Sequence, residues 1–120
     1  MEYLIILKQL KSETLLRAYI NRIKEVNTYI NALVSDCFEE AILEAQLLDQ
    51  RISNALESSG TTTDTVLQLP LLGIPISIKE SIAVRDQPCS AGLYSRKNIR
   101  MSEDAPAVKK LRDSGAIIVG

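Results

Sequence analysis

Lys79 closes the apolar stretch LLGIPISIKES, residues 71–81, and Glu80 follows it directly. The chain has 120 residues and no histidine. Within it there is therefore no Ser-His-Asp or Cys-His machinery, because the imidazole that would carry the proton is missing. Cys37 and Cys89 stand alone, without CxxC spacing. Zinc needs more His and Cys donors than that, so no metal and no other cofactor is expected. Both cysteines are expected as reduced thiols, since two isolated cysteines make no stapled scaffold. Gly73 to Lys79 is not a phosphate loop. That motif needs glycine before the lysine and Ser or Thr after it, where this chain has Ile78 and Glu80. The acidic pairs Glu39–Glu40 and Glu103–Asp104 fall at expected helix starts, where favouring the positive helix end is role enough.

Lysine remains. Its amine acts as a base only if it loses its proton near neutral pH, against a reference value of about 10.4. Burial or a second cation supplies such a shift, since both disfavour the charged form. A Ser-Lys pair is a recognised alternative to Ser-His. Spacing alone leaves two readings open for Lys79: a solvated cation ending a strand, the commoner case, or a base held where an interior ends.

The elements that must position it can be read from periodicity. A chain of this length forms one modest domain. Hydrophobic content of 46%, charged content of 24% and a net charge of -1 are ordinary for a globular protein. No basic field exists to hold nucleic acid or anionic lipid. The apolar run Tyr3–Leu7 is too short for a membrane span and lacks the basic flank of a signal peptide. Residues 1–56 are expected to be mainly helical. Leu4, Leu7 and Leu10 hint at an early turn. Ser12 is placed as the cap of a helix reaching about Asn27, with Leu15, Leu16, Tyr19, Ile20, Ile23 and Val26 as its apolar stripe. Asp36 with Glu39 resembles a capping box for a second helix carrying Phe38, Ala41, Ile42, Ala45, Leu48 and Ile52. Asn31–Val34 between them reads as a strand or an extended link. Residues 57–69, rich in Ser, Gly and Thr, read as a flexible connection.

Residues 70–120 read as strand, loop, helix, strand. Ile74, Ile76 and Ile78 share one face, and Pro75, Ser77 and Lys79 the other. A long loop from about Val84 to Ser102 is of the kind that is often functional. Asp104 is placed as the cap of a helix with Pro106 in its first turn and Val108 and Leu111 facing inward, and Gly115 as its left-handed stop. Ala116–Val119 reads as a strand buried on both faces, parallel to the first. Its cover is expected from outside this chain, so the isolated chain is expected to associate through it.

LPLLGIPISIKES, then CSAGL, then SEDAPAVKKLRDSGAIIVG together resemble the start of an amidase signature enzyme. The upstream LLRAYINRIKEVNTYINALVSDCFEEAILEAQLLD is similar to that family's N-terminal helices, so the resemblance runs from about Ser12 to Gly120. Glu80 after the lysine, where aspartate is commoner, and AGLYSRKNIRMSEDA look closest to the type-2 fatty-acid amide hydrolases. The resemblance implies an α/β fold, the N-terminal part of a mixed sheet flanked by helices. It also implies a Ser–cis-Ser–Lys triad hydrolysing amide bonds, with Lys79 as the lysine that works through the bridging serine. Ser77, Ser81, Ser90 and Ser95 do not match either serine of that triad, which lie downstream of the Gly-Ala strand. The chain is thus expected to be an N-terminal portion, roughly a quarter, of an amide hydrolase, inactive by itself.

Two alternatives stand beside this reading: part of an amidotransferase A-type glutamine-hydrolysing subunit, and a small α/β module in which Lys79 holds an anion. The expected partner is a small-molecule amide, such as a fatty-acid amide, in the complete enzyme. No nucleic acid is expected, and a homo-oligomer is allowed. Location is left open, with an intracellular one favoured and membrane association of the complete protein allowed.

Overall fold

The computed structural model describes residues 10–59 and 65–120. The early turn suggested by Leu4 and Leu7 lies outside these residues. Two long helices come first, α1 (Ser12–Ile30) and α2 (Phe38–Ser59). A 3-10 turn follows (Thr65–Gln68), then strand β1 (Pro75–Ile76), a second 3-10 turn (Tyr94–Arg96), helix α3 (Pro106–Asp113) and strand β2 (Ile117–Ile118).

The helix ends differ from the cap assignments. Lys11, not Ser12, occupies the N-cap of α1, and no side chain of its own end caps it. Its free amides are met from across the helix pair. The Asp49 carboxylate on α2 accepts the Ser12 N–H at 2.7 Å and the Glu13 N–H at 3.1 Å. A carboxylate at a helix N-terminus satisfies orphan donors and favours the dipole together. Ser12 is fully buried, and its hydroxyl has no hydrogen-bond partner among the described residues. The helix also outruns Asn27 by three residues, because Asn31 takes the left-handed conformation (φ 46°) and closes the end with its N–H on the Asn27 carbonyl. Asn27 itself exchanges two bonds with the Leu33 backbone, both at 2.8 Å. That clamp keeps Asn31–Val34 an irregular link with no strand. Tyr19, assigned to the stripe, is 44% exposed and lies off it. The second helix begins at Phe38, so Cys37 rather than Asp36 precedes its first turn.

Of the stretch read as a flexible connection, residues 57–59 and 65–69 are described. Glu57 to Ser59 continue α2, and the 3-10 turn seats Val66 and Leu67 in the core at 4% and 6% exposure. Each of these two side chains contributes about 1.5–3 kcal/mol on full burial.

β1 and β2 pair in parallel, Pro75 opposite Ile117 and Ile76 opposite Ile118. Ile117 and Val119 donate to the Ile74 and Ile76 carbonyls at 2.9 Å. The carbonyls flanking Pro75 take these bonds, so its missing N–H costs the ladder nothing. β2 is buried on both faces, as expected, but by this chain's own elements. Ile117 and Val119 join the α1–α2 core with Leu15, Leu16, Ile20, Ala41 and Ala45, while Ile118 joins Cys37, Val84 and Val108 on the other side. Association driven by uncovered strand faces is therefore not expected from this arrangement. The chain carries a core of its own, and Leu16, fully buried in it, is a sharp probe. Leu16→Ala is expected to cost about 2–5 kcal/mol, read as a lower urea midpoint at unchanged slope; a loss below half a kcal/mol would show that this core does not form.

Asp104 does not cap α3, whose N-cap is Ala105. Its carboxylate instead accepts the Arg85 N–H at 2.8 Å and pairs with Arg112 at 2.9 Å, and Arg112 reaches on to Glu44 of α2 at 2.9 Å. This chain of charges ties the start of the long loop, α3 and α2 together.

Candidate functional site

Lys79 lies just past the carboxyl end of β1. Ser77 and Lys79 are exposed, while Ile76 and Ile78 pack against the second core cluster. The alternation read from the sequence thus holds past the regular strand, since the Ile78 N–H still pairs with the Gly120 carbonyl at 2.7 Å. Apolar burial of every second residue turns the lysine outward, toward a cleft of about 400 Å³. Its walls come from the link after α1 (Leu33, Ser35), from the lysine turn (Lys79 to Ile82), from the long loop (Ala91, Gly92) and from Gly120. Among the described residues the Lys79 amine makes no hydrogen bond or ion pair. A larger depression of about 600 Å³ lies between α2 and α3. It lies away from Lys79, and its lining supplies no paired nucleophile and base.

Glu80 points differently from its neighbour. Its two carboxylate oxygens accept the N–H groups of Ser90 and Ala91, the second at 2.9 Å. The Ser90 backbone bond first, then the Ser90 hydroxyl, hold this carboxyl below the usual carboxylate range, with Ala91 and the charge of Arg96 adding to the effect. The Ser90 hydroxyl also accepts the Gly92 N–H at 3.2 Å. The long loop is further tied by single bridges between Arg85 and Met101 and between Pro88 and Arg100. No sequence signal marks the Glu80 contact, because its two ends are ten and eleven residues apart and belong to no regular element.

Cys37 and Cys89 are free and buried. The Cys37 thiol donates to the Ile118 carbonyl at 3.3 Å, and burial pushes it up to about 11. The thiolate is the reactive form. Iodoacetamide at pH 8 is therefore expected to modify Cys37 only after denaturant is added, followed by mass spectrometry; rapid labelling of the folded chain would contradict this burial. Among the described residues no group of three or more His, Cys, Asp or Glu side chains is arranged to hold a metal ion. No helix among them is long and apolar enough to cross a membrane.

The family model named Amidase matches residues 14–120. The chain belongs to the amidase family. It is 41% identical to fatty-acid amide hydrolase 2-A of Danio rerio over 94% of its own length. It is 35% identical, again over 94%, to the A-type subunit of the glutamyl-tRNA(Gln) amidotransferase of Alkaliphilus metalliredigens. It spans 21% of the length of each of these curated relatives. Among solved structures it resembles a peptide amidase from Stenotrophomonas maltophilia, with a TM-score of 0.82, 28% identity, and coverage of 98% of this chain and 22% of that one. The two helices and the parallel strand pair are thus an N-terminal portion of the amidase signature fold.

Proposed function

We propose that Lys79 is the general base of a Ser–cis-Ser–Lys amide hydrolase and that the complete enzyme acts on fatty-acid amides. One observation carries the reading: Lys79 stands at the end of β1 on a cleft bounded by the long loop and Gly120, its amine unpaired among the described residues. Because it is exposed in this chain, the burial or second cation that a base needs has to come from the rest of the complete enzyme. Ligands of open α/β sheets collect outside the carboxyl ends of strands. The fatty-acid substrate class rests on similarity to fatty-acid amide hydrolase 2. The reading as part of an amidotransferase rests on a lower identity, and the anion-binding module shares the exposed, unpaired Lys79 but not the match to the amidase family.

The chain by itself supplies a base without the two serines of that triad. A nucleophile and its activating base together split acyl transfer into two easier steps. The purified 120-residue chain is therefore expected to leave both a long-chain fatty-acid amide and an activated anilide unhydrolysed above the buffer rate. Turnover that survives repurification and disappears in Lys79→Ala would overturn this reading, because one of the chain's own serines would then be the nucleophile. In a completed enzyme, preference for glutamine over the long-chain amide would move the amidotransferase reading ahead.

A further inference from the structure

We propose that Glu80 is a positioning residue for amide hydrolysis: its carboxylate latches the Ser90–Gly92 segment of the long loop into place as a wall of the lysine cleft. The inference rests on the assignment of Lys79 as base and adds to it a residue that acts through the loop segment it holds.

The geometry has three parts. Lys79 and Glu80 are consecutive and diverge, the amine toward solvent and the carboxylate to the loop. The carboxylate takes two successive backbone N–H groups, one on each oxygen. A charged acceptor makes such bonds shorter and stronger than a neutral one would. Those two amides belong to a segment whose next conformations are unusual. Ala91 has φ 50° and Gly92 φ 80°. A left-handed alanine is disfavoured, because its Cβ crowds the following carbonyl, so this turn needs an external tether to persist. Glu80 supplies it, and the Ser90 hydroxyl closes the turn from within by accepting the Gly92 N–H.

The latched segment has a use at the cleft. Ala91 and Gly92 line it together with Lys79. A Cβ built on Gly92 meets nothing within 4 Å, so the backbone there is bare and a bound molecule can approach it closely. Fixing this wall relative to the lysine fixes where the scissile amide sits. Small misplacements of bound reactants are costly in rate, since orientation contributes much of the catalytic gain. The effect belongs in kcat more than in KM.

The test has two arms. In the 120-residue chain, the amide protons of Ser90 and Ala91 are expected well downfield in the proton–nitrogen spectrum. They should move upfield together as acid titrates Glu80, and already lie upfield at neutral pH in Glu80→Gln. Amides that ignore both changes would overturn the latch, and the wild-type titration decides this even if the variant does not fold. The second arm uses a complete enzyme, residues 1–120 joined to the remainder of fatty-acid amide hydrolase 2-A. There Glu80→Gln is expected to lower kcat tenfold or more, with KM within about threefold and the melting temperature nearly unchanged. Glu80→Asp, which keeps the charge, should recover the larger share of that loss. If Lys79→Ala abolishes activity while Glu80→Gln stays within twofold of wild type, the base stands and the positioning role falls. If Lys79→Arg is fully active, the base assignment fails whatever Glu80 does.

Discussion

Lys79→Ala, in a complete enzyme made by joining residues 1–120 to the remainder of fatty-acid amide hydrolase 2-A, is expected to lower kcat by about 10²–10⁴-fold, the usual worth of general base assistance. That span corresponds to roughly 2.7–5.5 kcal/mol of transition-state stabilisation. Lys79→Arg should fail to a similar degree, because a guanidinium stays protonated and cannot accept the proton. Substrate affinity should change little, since a side chain whose role is proton transfer contributes in the transition state. Ser77→Ala, on the same outward side of the strand, should be far milder. Arginine restoring most of what alanine loses would show that Lys79 acts as a fixed positive charge, and the base assignment would be wrong.

Gly115→Ala is expected to be a strongly damaging single-methyl change. Gly115 turns the chain from α3 into β2 with φ 92°, and the left-handed region costs an L-residue about 1–2 kcal/mol. Space is closed as well. An added Cβ would stand 3.0 Å from the Leu72 Cα and 3.1 Å from the Leu69 Cβ. Leu72 is fully buried, and its backbone is tied at both sides, with Leu71 N–H on the Ser114 carbonyl and Gly73 N–H on the Gly115 carbonyl, each at 2.9 Å. The neighbour that must yield is therefore backbone held in place, and overpacking of that kind costs about 1–3 kcal/mol more. The sum, about 2–5 kcal/mol, should appear as a lower urea midpoint and as faster exchange of the Ile117 and Val119 amides. A midpoint unchanged from wild type would mean the α3–β2 turn is not built as described.

Much of this arrangement was legible in residue patterns. The stripe Leu15, Leu16, Ile20 and the series Phe38, Ala41, Ala45, Leu48, Ile52 fall into the core, because helical period and apolar burial are properties of the segment itself. The isoleucine alternation turned Lys79 outward for the same reason, with period two in place of 3.6. Helix caps are less legible. Ser12, Asp36 and Asp104 have the chemistry of N-caps, yet α1 is capped from Asp49, α2 starts after Cys37, and Asp104 serves Arg85 and Arg112. A cap motif says which side chain could bond locally, whereas a carboxylate from another helix competes for the same amides without any fixed spacing.

The sequence by itself determined the two amphipathic helices, the parallel strand pair about Pro106–Asp113, the placement of a lysine at a strand's carboxyl end and the amidase family. Each follows from local periodicity, or from a run of residues that is specific as a run. Only the tertiary structure decided that β2 is covered on both faces by this chain, that Val66 and Leu67 enter the core, and that Glu80 turns from Lys79 to hold Ser90 and Ala91. The physical reason is common to all three. Burial and hydrogen bonding between segments distant in the chain depend on how helices and strands stack, and no spacing along the sequence encodes which carboxylate will meet which amide.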